Sequence, residues 1–247
     1  MTSEVRPVKA HWWTGIPNFG DRLAPLLLKR FAYLDCQHAP NGESEVVSVG
    51  SLLEYLPAGW SGYVVGSGIL RESYPLKFDP SAAKILALRG PLTASRFTGT
   101  FALGDPGLLA NELIEPQEKK YDLGILPHWK DKFLVEKFQT DKVSCKVISP
   151  RAEPLSVLRD IASCRALVTS SLHGIISADA IGGIPRQLEP CDALEVEGGL
   201  FKYHDYAASI HLPLELGKMQ EPSRNWVNER RFEVFDAYRE LSSLYGR

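Results

Sequence analysis

The sequence predicts an α/β protein built as two small doubly wound units that face each other across a cleft. Three observations predict it. Short β-type runs alternate with polar or glycine-rich loops and helix-type segments along most of the 247 residues, the pattern of a mainly parallel sheet covered by helices on both faces. The polar stretch NELIEPQEKKY (Asn111–Tyr121) carries Pro116 and separates two αβ series of similar size. The run ALVTSSLHGIISADAIGGIP (Ala166–Pro185) drives a strand straight into a helix. In open α/β sheets that junction lies at the carboxyl edge, where ligands bind. The expected units are residues 1–115 and 116–247, the second closing with an amphipathic helix.

Each element follows from its residues. Val8–Thr14 reads as a strand, IPNFGD as a loop and Arg22–Phe31 as a helix. Val46–Val49 is a short strand leading into Ser51–Leu56, and Gly62–Val65 is a strand ending at Gly66-Ser67-Gly68. Lys84–Leu88 is a strand, and Pro91 suits the first turn of a helix after it. Phe101–Leu103 runs into the turn GDPG, and Tyr121–Leu126 ends at Pro127-His128. Ser144–Ile148 is a strand, Leu155–Cys164 a helix and Ala166–Thr169 a strand. The helix after it starts near His173, Gly182-Gly183 ends it, and Ile184-Pro185 opens the next strand. From Trp226 to Leu244, Phe232, Phe235, Tyr238 and Leu241 recur every three residues, the stripe of a helix packed on a domain. No internal repeat and no low-complexity segment is visible.

Composition narrows the function. The chain is 44% hydrophobic and 23% charged, with a net charge of -2 and no Lys/Arg run, which argues against a nucleic-acid binder. No apolar stretch is long enough to span a bilayer, and MTSEVRPVKAHWW lacks the apolar core of a signal peptide. The expected location is cytoplasmic. Cys36, Cys145, Cys164 and Cys191 are far apart and form no CxxC. They read as small buried hydrophobes in a reducing compartment, with neither a metal site nor a disulfide framework.

Candidate site residues cluster at predicted strand ends. Ser170, Ser171, Leu172 and His173 stand at a helix start, where free N–H groups favour an anion; His173 either donates a proton to it or anchors it. In NFGD, Asn18 and Asp21 precede a helix, and Asp21 is a helix cap, a carboxylate able to take a hydroxyl proton, or both. Arg89 ends the strand KILAL, and its planar fork suits a carboxylate or phosphate, unless it makes a salt bridge. Asp105 lies in GDPG, which is also an ordinary turn. His128, near Lys130 and Lys132, is structural or catalytic, and Lys202 in GGLFKYHDYAAS is solvated or touches an anion. Gly66, Ser67 and Gly68 open a dinucleotide-like fingerprint whose third glycine is replaced by Arg71; a tight turn approached by a ligand or a neighbouring helix fits better.

Taken in order, NFGD, GSGIL, LRGPLTA, LGDPGLLA, LPHWKDK, the SLHG–helix–GIP block and FKYHDYAAS resemble the polysaccharide pyruvyl transferase family, in the flavour of the bacterial exopolysaccharide ketal-pyruvate transferases. The resemblance covers about His11 to Ile210. It implies a GT-B-like fold of two Rossmann-like domains, the first on the acceptor side and the second on the donor side. It implies transfer of the enolpyruvyl group of phosphoenolpyruvate to two hydroxyls of one sugar, giving a ketal and phosphate, with no cofactor and no metal. The expected partners are phosphoenolpyruvate and a sugar acceptor, a lipid-linked oligosaccharide met at the inner membrane face. Many members read Arg-Leu-His-Gly where this chain has Ser171, and that arginine helps bind the donor. Lys202, Arg89 and Arg186 are the cations able to replace it. In this reading His173 is the donor or phosphate anchor, Asp21 or His128 serves the acceptor hydroxyl, and Arg89 and residues 171–173 hold the anions. The competing functions are a GT-B glycosyltransferase using a nucleotide sugar, with Glu189 or Glu195 on the ribose, and a carbohydrate-binding relative without catalysis.

Overall fold

A computed structural model of the protein describes residues 6–131, 133–189 and 198–247. Lys132, Cys191 and Glu195 lie outside the described residues.

Two parallel-dominated sheets carry the fold. The first is built from β1 (Val8–His11), β2 (Cys36–His38), β3 (Val46–Val47), β4 (Tyr63–Ser67), β5 (Lys84–Leu88) and β6 (Ala102–Leu103). Its order is β2-β1-β3-β4-β5-β6, with every pair parallel. The second contains β7 (Tyr121–Leu126), β8 (Cys145–Val147), β9 (Cys164–Thr169), β10 (Arg186–Leu188) and β11 (Met219–Gln220). Its order is β11-β10-β9-β7-β8, and only β10–β11 is antiparallel. The helices are α1 (Leu23–Ala32), the single turn α2 (Pro91–Ala94), α3 (Leu134–Phe138), α4 (Pro154–Ala162), α5 (Leu172–Ile181), α6 (Phe201–Ser209) and α7 (Arg224–Leu244). A 3-10 segment, Pro106–Leu113, follows β6.

The local reasons are plain in several elements. Val8 and Ala10 are buried while Lys9 and His11 are half-buried, the period of two expected of a strand. In α1, Leu23, Leu27, Leu28 and Phe31 bury one face, and Tyr33 ends the helix in the left-handed region at φ 57°. Helix α5 is different: every residue from Leu172 to Ala180 is buried. Burial on every side places this helix in the interior, and α5 packs between its own sheet, α4 and the 3-10 segment 106–113.

The apolar core does not divide at the polar seam. One cluster runs from Val8 and Leu27 through Leu109 to Leu167, Val234 and Tyr238. Helix α7, expected with the second half, packs on α1, the 3-10 segment and β4–β6. Its stripe also differs from the expected one. Val227, Val234, Ala237, Tyr238 and Leu241 are buried, Phe235 packs at the core edge and Phe232 is 65% exposed. The reason is that 3.6-residue periodicity carries a strict three-residue series off the buried face. Strand β1 stops at His11 rather than Thr14. Cys36 and Cys145 are only half-buried. Among the described residues, no helix is long and apolar enough to cross a membrane.

Candidate functional site

The carboxyl ends of β1, β3 and β4 of the first sheet and of β7 and β9 of the second converge on one cavity of about 250 Å³. After β1 come Trp13, Ile16, Asn18 and Asp21; after β3, Gly50, Ser51 and Leu52; after β4, Leu70. The second sheet adds His128 and Trp129 after β7 and Ser171, Leu172 and His173 after β9, while α6 adds Lys202. This is the edge at which open α/β sheets bind ligands. A larger cavity of about 840 Å³ lies against the outward side of α6, between Glu72, Leu92 and residues 198–214. It holds none of the residues singled out from the sequence, and its walls are mainly apolar.

His173 begins α5 and is 6% exposed. Its ring occupies the space a side chain at residue 20 would need: a Cβ there would lie 2.2 Å from Nδ1. Gly20 therefore permits the contact between the NFGD loop and α5. On its other edge, Nε2 is 4.0 Å from Oδ2 of Asp105. Asp105 caps the 3-10 segment, its Oδ1 accepting from the Gly107 N–H at 2.8 Å. Gly107 is equally constrained, since a Cβ would stand 2.9 Å from Ile176 of α5.

The electrostatics of this cluster are unusual. Burial pushes the Asp21 carboxyl up to about 7, opposed by Lys202 and by the hydrogen bond from Asn18. That bond, Asn18 Nδ2 to Asp21 Oδ2, is 2.9 Å. Burial pushes Asp105 up to about 6, against the Gly107 hydrogen bond and the charge of Arg89. His173 moves the opposite way, down to about 3, through burial and the neighbouring charges of Lys202 and Arg89. At neutral pH its imidazole is uncharged. Asp21 titrates where an acid–base group is most useful.

Several sequence candidates stand behind the cavity rather than in it. Arg89 is fully buried, and its donors are committed: Nε to Asp205 at 3.0 Å, one terminal nitrogen to Ser51 Oγ and the other to the Ile69 carbonyl, both at 2.6 Å. Asp205 also accepts from the N–H and hydroxyl of Thr93. Arg89 thus ties α6 to the first sheet instead of presenting its fork to an anion. Ser170 gives its hydroxyl to Asp131 at 2.6 Å and accepts from the His128 N–H at 2.8 Å, pinning the loop after β7. Gly66, Ser67 and Gly68 are scaffold. A Cβ on Gly66 would strike Pro106, and one on Gly68 would lie 2.3 Å from the Arg89 guanidinium. Ser67 donates to the Gly50 carbonyl at 2.9 Å. Arg71, in the place of the third glycine, pairs with the buried Glu54. Arg186 is locked to Asp179 by bonds of 2.9 and 3.1 Å. Glu189 is held by Lys137 and Gln187.

The aromatic walls, Trp13, Tyr55 and Trp129, were missed from the sequence, as were Gly50 and Leu70. A weak signal existed for Trp13. Gly15 follows two residues later, and a Cβ there would lie 2.5 Å from the indole, so this glycine lets the ring fold back over the loop. Among the described residues, no group of His, Cys, Asp or Glu is placed to hold a metal ion.

No protein-family model matches the chain. Over 177 residues, 68% of the chain, it is 32% identical to succinoglycan biosynthesis protein ExoV of Rhizobium meliloti (strain 1021), covering 54% of that protein. Over 155 residues, 58% of the chain, it is 29% identical to uncharacterized protein L143 of Acanthamoeba polyphaga mimivirus, covering 53% of it. The chain spans about half the length of these curated relatives.

Proposed function

We propose that the chain is a polysaccharide pyruvyl transferase. It moves the enolpyruvyl group of phosphoenolpyruvate onto two hydroxyls of one sugar in an exopolysaccharide precursor. The observation that carries this reading is the meeting of Asp21, His173 and Lys202 in one small cavity at the start of α5. The seven ordered motifs and the similarity to a succinoglycan biosynthesis protein support it. In this reading the two sheets correspond to two GT-B-like Rossmann domains, 1–115 and 116–247, with α7 crossing back onto the first, working on a lipid-linked acceptor at the cytoplasmic membrane face.

Ketal formation sets the chemical requirements. The methylene carbon of the donor gains a proton, the first sugar oxygen attacks the adjacent carbon, phosphate leaves and the second oxygen closes the ring. One hydroxyl proton ends on the new methyl group and the other on the departing phosphate. Lys202 takes the place of the arginine that Ser171 replaces, since Arg89 and Arg186 are spent in buried ion pairs. The N–H groups at the start of α5 add to the anion field. Asp21, titrating near 7, protonates the methylene carbon. Neutral His173 accepts the hydroxyl proton, and the donor's negative charge works against the burial and the cations that hold its pKa down. Trp13 and Trp129 exclude water and face the sugar.

The test is phosphate release from phosphoenolpyruvate with a panel of lipid-linked and synthetic oligosaccharides. Acceptor-dependent release, with thermal stabilisation by phosphoenolpyruvate, is the expected result. Stabilisation by nucleoside diphosphates alone would instead select the glycosyltransferase reading.

A further inference from the structure

Two buried polar atoms in the site lack any hydrogen-bond partner, and they face each other: Asp105 Oδ2 and His173 Nε2. Asp105 is fully buried and His173 nearly so. An unpartnered buried carboxylate oxygen is costly, and the turn in which Asp105 sits does not need it, because Oδ1 alone caps Gly107. An asparagine would cap that turn as well. The second oxygen therefore needs a reason that lies in what it faces.

We propose that Asp105 is the positioning carboxylate of His173: Oδ2 selects the ring tautomer with its hydrogen on Nε2, which leaves the Nδ1 lone pair beside Gly20 to take the acceptor hydroxyl's proton. The two atoms stand 4.0 Å apart, and catalytic hydrogen bonds of this kind often tighten only in the substrate complex. When the hydroxyl proton moves to Nδ1, Nε2 keeps its own hydrogen. Asp105 stays ionised as the counter-ion of the new imidazolium and is itself never the base. The charged groups acting on the two residues are Lys202 and Arg89 on the ring, and Arg89 and Asp205 on the carboxylate, with Asp21 in turn feeling Lys202 and Asp105. Burial and the two cations hold the ring neutral.

This inference rests on the pyruvyl-transfer reading for the identity of the proton but not for the tautomer, and the experiment separates the two. The six histidines are labelled with ¹⁵N, and the His173 signals are assigned by their loss in His173→Ala. The ring is then read in the unliganded protein at pH 7.5 and with inorganic phosphate added. The expected wild-type ring carries its hydrogen on Nε2. In Asp105→Asn the amide keeps the Gly107 bond through its oxygen and turns its N–H toward Nε2, so the hydrogen moves to Nδ1. Turnover in that variant falls about 10²–10⁴-fold with KM for phosphoenolpyruvate within about threefold, as expected when a base is held in the wrong tautomer. Thermal unfolding of Asp105→Asn checks that the fold is retained. Asp105→Glu, whose carboxylate can reach Nε2, should restore the wild-type tautomer and part of the turnover. A wild-type ring with its hydrogen on Nδ1, an unchanged tautomer in Asp105→Asn, or a switched tautomer with undiminished turnover each overturns the proposal. Absence of phosphate release in the wild type itself, with the tautomer switching as stated, removes the pyruvyl reading and leaves the Asp105–His173 coupling standing.

Discussion

Arg89 with Asp205 and Asp105 with His173 are both buried pairs of titratable groups, yet they are built on opposite principles. Each guanidinium nitrogen of Arg89 is answered, and Asp205 accepts from three separate groups. Arg186 and Asp179 repeat that pattern, with Tyr206 donating to the same carboxylate at 2.8 Å. Asp105 and His173 instead face each other with unanswered atoms, next to an Asp21 pushed up to about 7. The satisfied pairs hold the architecture, joining α6 and β10 to their neighbours. The unsatisfied group sits where the strand ends converge. Unpartnered buried polar atoms that face each other at the ligand edge of the sheets, beside a carboxyl shifted by burial, point to a place where a ligand completes the structure.

The sharpest way to break this contrast is to remove one member from each side. His173→Ala should lower pyruvyl transfer about 10²–10⁴-fold while costing less than ~2 kcal/mol of stability, because the lost ring takes an unanswered nitrogen with it. His173→Gln should keep donor affinity but not turnover. Steady-state phosphate release and urea unfolding measure both. If turnover survives in a folded His173→Ala protein, the ring is a wall and the chemistry lies elsewhere.

Asp205→Ala should do the reverse. It strands the fully buried Arg89 and uncaps α2, so a loss of ~3–5 kcal/mol is expected, read as an earlier urea midpoint. Donor binding to the fraction still folded should be nearly unchanged. A stable Asp205→Ala protein that had lost donor affinity would put the Arg89 fork back among the anion contacts.

Much of this was legible in the sequence because parallel α/β folds put their ligand residues at strand ends, and strand ends are readable. NFGD, GDPG and SSLHG all fall where β-type runs stop, and all three loops meet at His173. The partners were not legible. Arg89 was recognised by type and place, but Asp205 is 116 residues away, and nothing local announces that the fork is already filled. The same distance hid the packing of α7 on the first sheet. The charge state of His173 was not legible either, because burial sets it first and the charges of Lys202 and Arg89, distant in sequence, add to it. Trp13, Tyr55 and Trp129 belong to loops in which an aromatic has no period to betray its role.

Asp21→Asn tests the unsatisfied side through pH. A carboxyl raised from 3.8 to about 7 binds its proton more tightly in the folded protein. Its contribution is therefore fully present below pH ~4 and lost as pH rises to about 7, after which it is flat. His173, lowered from 6.5 to about 3, gives the opposite slope between those values. Asparagine removes only the first effect. The variant should be more stable than wild type by ~2–4 kcal/mol above pH 7, nearly equal to it at pH 4, and inactive. Thermal unfolding across pH 4–8 reads this directly, and a gain that did not grow with pH would mean that Asp21 is not held neutral by burial.

Lys202→Gln should produce the smallest effect and the most specific one. Lys202 opposes the burial-driven rise of Asp21 and adds to the burial-driven fall of His173, so both groups should titrate at higher pH once it is gone. Stability should change by no more than ~0.5 kcal/mol, as for other side chains outside the core. KM for phosphoenolpyruvate should rise roughly 10–30-fold, equivalent to ~1.4–2 kcal/mol of lost anion binding. The pH profile of kcat/KM should shift upward on both limbs, since it reports the groups of the free enzyme. Added salt should weaken donor binding less in the variant than in the wild type, because one screened charge is missing. An upward shift without a KM change would keep Lys202 as a tuner of Asp21 and His173 and remove it from the donor site. A KM change without the shift would make it a donor contact that leaves the acid–base pair alone. The wild-type geometry, with Lys202 lining the same cavity as both groups, requires the two effects to move together.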